Sequence, residues 1–87
     1  MKTTVEKTNN YYVLCSIDNS GNTVYLRSLH EPGKWEITAD IEFASKCVNK
    51  NTAELTLQFY ENETQNYDKW VIVPMIIEYK LINETVG

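Results

Sequence analysis

Residues Trp70 to Ile82 read WVIVPMIIEYKLI, apolar on both parities as far as Met75 and then alternating through Ile77, Glu78, Tyr79, Lys80 and Leu81. A run this rich in β-branched and aromatic residues is a strand signal, the strongest in the chain. Pro74 in its middle has no N–H to give to a ladder, which puts the strand at a sheet edge or at a bulge. The run is too short for the roughly 20 residues of a membrane span, and Met1 to Asn10 (MKTTVEKTNN) holds no apolar stretch for a signal peptide. The expected location is therefore the cytoplasm.

Tyr11 to Asp18 (YYVLCSID) and Thr23 to His30 (TVYLRSLH) flank the turn signal Asn19-Ser20-Gly21-Asn22, the pattern of a β-hairpin. With Ser20-Gly21 as a two-residue loop, Asp18 lies opposite Thr23 and Cys15 opposite Leu26. Tyr11, Val13, Cys15 and Ile17 then share the core face with Val24, Leu26, Ser28 and His30. The other face carries Tyr12, Leu14 and Ser16 opposite Leu29, Arg27 and Tyr25. Tyr12 and Tyr25, with Leu14 and Leu29 around Arg27, form an exposed patch fit for a partner or for self-association.

Glu31-Pro32-Gly33-Lys34 ends the second strand in a loop. Thr38 before Ala39, Asp40, Ile41 and Glu42 is an N-cap, and Ile41, Ala44 and Val48 recur at helical spacing, so a short helix is expected to about Cys47. Asn51 with Glu54 three residues on caps a second short helix through about Glu61. Residues 52–60 also fit a strand, because Ala53, Leu55, Leu57 and Phe59 alternate with Glu54, Thr56 and Gln58; the cap and the good helix formers favour helix. The expected fold is α+β: a two-layer ββααβ sandwich in which an antiparallel sheet of about three strands carries short helices on one face and leaves its second face open.

At 87 residues the chain is one domain, 1–87, with residues 1–10 as a flexible start. Eight Lys plus Arg face twelve Asp plus Glu, a formal charge of -4. Asp40, Glu42, Glu54, Glu61, Glu63 and Asp68 against Lys46 and Lys50 account for all of it, so the excess sits in residues 40–68. One Arg and no basic cluster argue against direct nucleic-acid binding. An acidic segment suits a basic protein surface.

Chemistry is poorly provided for. The paired carboxylates Asp40/Glu42 and Glu61/Glu63 are two apart and do not face one another on a helix. Phosphate-binding and nucleophile-elbow motifs are absent from the sequence, and no enzyme is expected. Without a secretion signal, Cys15 and Cys47 are expected as reduced thiols, and the acceptor patterns at Asn62 and Asn83 carry no weight. Cys15, His30 and Cys47 are of the types that bind zinc, with Asp or Glu to complete a tetrahedron. They come from three separate elements without ligand spacing, and Zn2+ is the one cofactor the residue types suggest.

Taken together, YYVLCSID, TVYLRSLH, KWEITADIEFA and WVIVPMIIEYKLI resemble small accessory proteins encoded by phages of low-GC Gram-positive bacteria. In size, acidity and lack of catalytic motifs the chain is similar to the anti-CRISPR proteins that inhibit type II-A Cas9. That resemblance implies a viral protein in a bacterial host cell that blocks Cas9 DNA binding or cleavage by stoichiometric protein–protein contact. The acidic residues, with Tyr12 and Tyr25, would then meet the positively charged channel of the effector. The alternative is a structural or regulatory phage accessory protein that forms a homodimer through its open sheet face.

Overall fold

The computed structural model describes residues 2–31 and 33–83. In chain order the elements are β1 (Lys2–Ile17), β2 (Thr23–Ser28), β3 (Trp35–Thr38), one 3-10 turn (Ile41–Phe43), α1 (Lys50–Thr64) and β4 (Val71–Asn83). The four strands form one sheet in the order β3-β2-β1-β4, with every neighbour antiparallel. The class is α+β, as expected. The layout is not ββααβ, because a fourth strand is present and a single helix stands where two were expected.

The hairpin forms, but its register differs by one residue from the expected one. Cys15 pairs with Tyr25 and Ile17 with Thr23. The cause lies in the turn. Asp18 N donates to Asn22 O at 2.9 Å, and Asp18 Oδ1 accepts from Ser20 N and Asn22 N, so the loop holds three residues, Asn19–Gly21, rather than two. Gly21 closes it at φ 84, a left-handed conformation that glycine adopts without a Cβ clash. A shift of one residue exchanges the faces of one strand relative to the other. Leu14 therefore lies with Val24 and Leu26, and Cys15 with Tyr25.

α1 packs on the Leu14 face. Leu14, Leu26, Tyr60 and Trp70 are buried together, with Val24, Trp35, Leu57 and Ile72 around them. Burying side chains such as Leu14 and Leu26 contributes roughly 1.5 to 3 kcal/mol each. Tyr60 stands between two indoles, its ring edge-on to Trp35 at 5.3 Å and to Trp70 at 5.8 Å between centroids. On the opposite face a smaller cluster joins Val13, Cys15 and Ala44, flanked by Tyr25 and Met75.

Where a helix was expected over residues 39–47, only Ile41–Phe43 turn, capped by Asp40, whose side chain accepts from Glu42 N. Ala44 then extends at ψ 140. The physical reason is the sheet: β2 diverges from β1 beyond Cys15, and residues 45–47 fill the gap. Ser45 N donates to Leu26 O, Ser45 Oγ accepts from Ser28 N, and Cys47 exchanges two 2.8 Å backbone bonds with Tyr12. A continued helix would leave those strand edges unpaired.

Residues 52–60 are helical. The helix begins earlier than expected, because Asn49 rather than Asn51 is the cap, its Oδ1 accepting from Thr52 N and Thr52 Oγ1. It also runs three residues past Glu61, to Thr64, and closes on left-handed Gln65. Trp35–Thr38, expected as loop, is β3. Residues 2–10, expected to be a flexible start, belong to β1 and pair with β4 as far as Lys2 opposite Asn83. Pro74 sits on an edge strand, as its missing donor requires.

The result is a head and an arm. Among the described residues, the buried apolar side chains all lie between Val13 and Trp70. Beyond them β1 and β4 continue as a two-stranded ribbon, and the whole molecule spans 60 Å along its longest axis.

Candidate interaction surface

On α1, Ala53, Leu57 and Tyr60 repeat at helical spacing and turn inward, with Ala53 and Tyr60 fully buried. The same spacing carries Leu55 and Phe59 outward as an i, i+4 pair, 53% and 60% exposed. Glu54, Gln58 and Glu61 lie on the adjoining flank at i, i+4 and i+7. The alternation that suggested a strand over residues 53–59 thus comes from two different stripes of one helix.

A cleft of about 550 Å³ opens beside Phe59. Its walls include Trp35, Val48 and Phe59, and its polar groups include His30, Lys46 and Cys47. Glu63 closes one end: its Oε2 accepts from Gly33 N at 2.8 Å and from Trp35 Nε1 at 2.6 Å, tying the last turn of α1 to the β2–β3 loop. His30 sits in that loop at φ 59, exposed. Cys47 Sγ lies 3.8 Å from Thr56 Oγ1.

The six acidic residues of the 40–68 segment do not form one surface. Asp40 and Glu42 belong to the 3-10 turn, whose Phe43 ring lies under the Arg27 guanidinium on the face away from α1. Glu54, Glu61 and Glu63 are on α1, on the other side of the sheet, and Asp68 is in the loop before β4. Asp40 and Glu63 are occupied in holding backbone and side-chain donors. The ion pairs among the described residues are Arg27 with Glu36 at 3.8 Å and Lys80 with Glu78 at 3.1 Å. Glu54 and Glu61 are thus without a cation partner among the described residues.

The expected Tyr12–Tyr25 patch is not assembled. The register places Tyr12 on the α1 side and Tyr25 on the other, and Leu14, counted with the patch, is buried in the core. The expected metal ligands separate in the same way. Cys15 packs with Val13 and Ala44 on the face away from α1, whereas Cys47 faces Thr56 on the helix and only His30 shares its cleft. No group of three or more His, Cys, Asp or Glu able to hold a metal occurs among the described residues. Both cysteines are free and buried, and burial pushes the Cys15 thiol pKa up.

Leu55 and Phe59 were not expected as surface residues, nor was the arm, where Val5, Ile76, Tyr79 and Leu81 are exposed. A period of 3.6 applied to residues 53–60 would have found the first pair. Nothing in residues 2–10 announces the arm. No helix among the described residues is long and apolar enough to cross a membrane. Compared with models of known protein families, with curated proteins and with solved structures, the chain gives no significant match.

Proposed function

We propose that this chain is a stoichiometric binding protein that turns over no substrate, an inhibitor of a host defence nuclease of the kind it resembles, with Cas9 as the first candidate target. The observation that carries the reading is the outer side of α1. Leu55 and Phe59 stand in solvent on a helix held by a buried aromatic stack, next to Glu54 and Glu61. Exposed apolar side chains beside charge are the ordinary composition of a protein contact, with the aromatic as anchor and the carboxylates giving attraction to a basic surface.

A Cas9 cleavage assay with increasing amounts of the protein tests it. Inhibition that saturates near one protein per nuclease is expected, lost in Phe59→Asp and weakened in Glu54→Lys/Glu61→Lys, with the charge effect larger at low ionic strength. Glu63 is a poor choice for charge reversal because it braces the β2–β3 loop. Unchanged DNA cutting at large molar excess removes Cas9 as the target.

A further inference from the structure

Tyr12 spends both its backbone N–H and its C=O on Cys47, on the side of β1 away from β4. Its partner across the ladder, Pro74, therefore belongs to a non-hydrogen-bonded pair, and the Pro74 backbone points out from the free edge of β4. The register shift between Val5 and Lys7 puts its extra residue, Glu6, in β1 and leaves β4 regular, so alternation turns the N–H and C=O of Ile76, Glu78, Lys80 and Ile82 the same way. These groups have no ladder partner within the described chain, since β4 is the last strand of the sheet. An uncovered edge is a template for another strand.

Which strand fits follows from the sequence of the edge. In an antiparallel pairing of two β4 strands, a register centred on Glu78 sets Glu78 against Glu78, and one centred on Lys80 sets Lys80 against Lys80. A register centred on Ile77 puts Lys80 opposite Pro74, which has no N–H to give. A register centred on Tyr79 avoids all three faults. Glu78 then faces Lys80 of the second copy and Lys80 faces its Glu78, with Pro74 outside the paired stretch 76–82. On the other face Tyr79 meets Tyr79 and Ile77 meets Leu81. Tyr79 and Leu81 are 51% and 56% exposed in the single chain. The two heads point away from the axis, each about 17 Å along the strand from Tyr79 to Pro74, so they do not collide.

We propose that β4 pairs edge to edge with β4 of a second copy of this chain, antiparallel about a twofold axis at Tyr79, joining the two arms into one continuous sheet. The interface is isologous, and its register is set by two reciprocal Glu78–Lys80 pairs. A seam this short lies at the low end of specific interfaces, so the dimer forms at roughly micromolar to millimolar concentration.

Sedimentation equilibrium over that range tests it. The wild-type chain is expected to dimerise, and Glu78→Lys and Lys80→Glu each to weaken dimerisation at least about tenfold, because both reciprocal pairs become like-charged. Mixing these two variants restores opposite charges at every pair, so they are expected to form a heterodimer of near wild-type affinity. Glu78→Pro removes an outward N–H without touching the β1 ladder and is expected to leave a folded monomer, checked by its melting curve. A wild-type chain that stays monomeric to millimolar concentration overturns the proposal, as does a dimer indifferent to both the charge changes and the proline.

Discussion

Replacing Tyr60 by Ala tests how α1 is held on the sheet. The ring is buried, contacts the indoles of Trp35 and Trp70 edge-on, and its hydroxyl accepts from Asn66 Nδ2 at 2.9 Å. Truncating a buried aromatic to Ala costs about 3 to 5 kcal/mol, including the aromatic contacts. One effect opposes this. Trp70 Nε1 is buried without an acceptor among the described residues, and opening the Tyr60 site admits water to it, which returns about 1 kcal/mol. The expected net loss is about 2 to 4 kcal/mol, from a total of order 4 to 13 kcal/mol for a chain of this length. That corresponds to a fall in Tm of about 8 to 32 °C. Tyr60→Phe loses only the Asn66 hydrogen bond, about 1 kcal/mol. Phe59→Ala, on the exposed side, stays within about 0.5 kcal/mol of wild type. Urea unfolding of the three variants decides the matter: a Tyr60→Ala loss no larger than that of Phe59→Ala would refute the view that this stack anchors the helix.

Glu63→Ala leaves Gly33 N and Trp35 Nε1 without their acceptor and is expected to cost about 1 kcal/mol, the site being exposed. Its indole emission should shift to the red, whereas Glu63→Gln, which keeps an acceptor oxygen, should retain most of the stability; unchanged melting and emission in Glu63→Ala would contradict the brace. Gly21→Ala places a Cβ at φ 84 and should cost about 1 to 2 kcal/mol through backbone strain alone, since nothing lies within 4 Å of the added atom. A melting temperature equal to wild type would count against the three-residue turn. Because burial raises the folded-state pKa of Cys15 above its unfolded value, its stabilising contribution is full below the ordinary thiol range, about 8.5, and is lost as pH rises toward the raised value. Stability from pH 8 to 10 should therefore fall more steeply in the wild type than in Cys15→Ala, and parallel slopes would refute this.

What the sequence made legible follows the strength of each local signal. Trp70–Ile82 could be read because apolar, β-branched residues fill it on both parities as far as Met75, and Pro74 narrowed its place to an edge or a bulge. The hairpin was legible as a hairpin, but its register turned on whether Ser20-Gly21 or Asn19–Gly21 formed the loop, and that depended on Asp18 Oδ1 capping the turn. One residue of difference then moved Leu14 into the core and took apart both the Tyr12–Tyr25 patch and the Cys15–His30–Cys47 set. Residues 39–47 carry helical spacing, but the sheet edges left by Tyr12 and Leu26 claim backbone groups of Cys47 and Ser45, and Ser28 N claims the Ser45 hydroxyl, a tertiary demand that local propensity does not encode. β3 is four residues long, too short for its alternation to stand out. Thr4–Asn10 shows no buried face because the ribbon it forms has none there, so the period that betrays other strands is missing.

That last absence bears on what the arm is for. Among the described residues, none from Thr4 to Asn10 or from Ile76 to Leu81 is buried or packed against either core cluster, so the head reaches its core without the arm. A two-stranded ribbon in water is marginal by itself, and exposed Val5, Ile76, Tyr79 and Leu81 make it a liability unless something covers them. The free edge is nevertheless protected unevenly. Pro74 removes an outward donor beside the head, where a foreign strand could otherwise extend the main sheet, whereas no proline interrupts residues 75–83. Protection at one end and an open, charge-alternating edge at the other is the pattern expected if pairing is allowed at the arm and blocked at the core. Changes at Glu78, Tyr79 and Lys80 should then alter association while leaving the unfolding free energy of the head nearly untouched, and changes at Leu26 or Tyr60 should do the reverse.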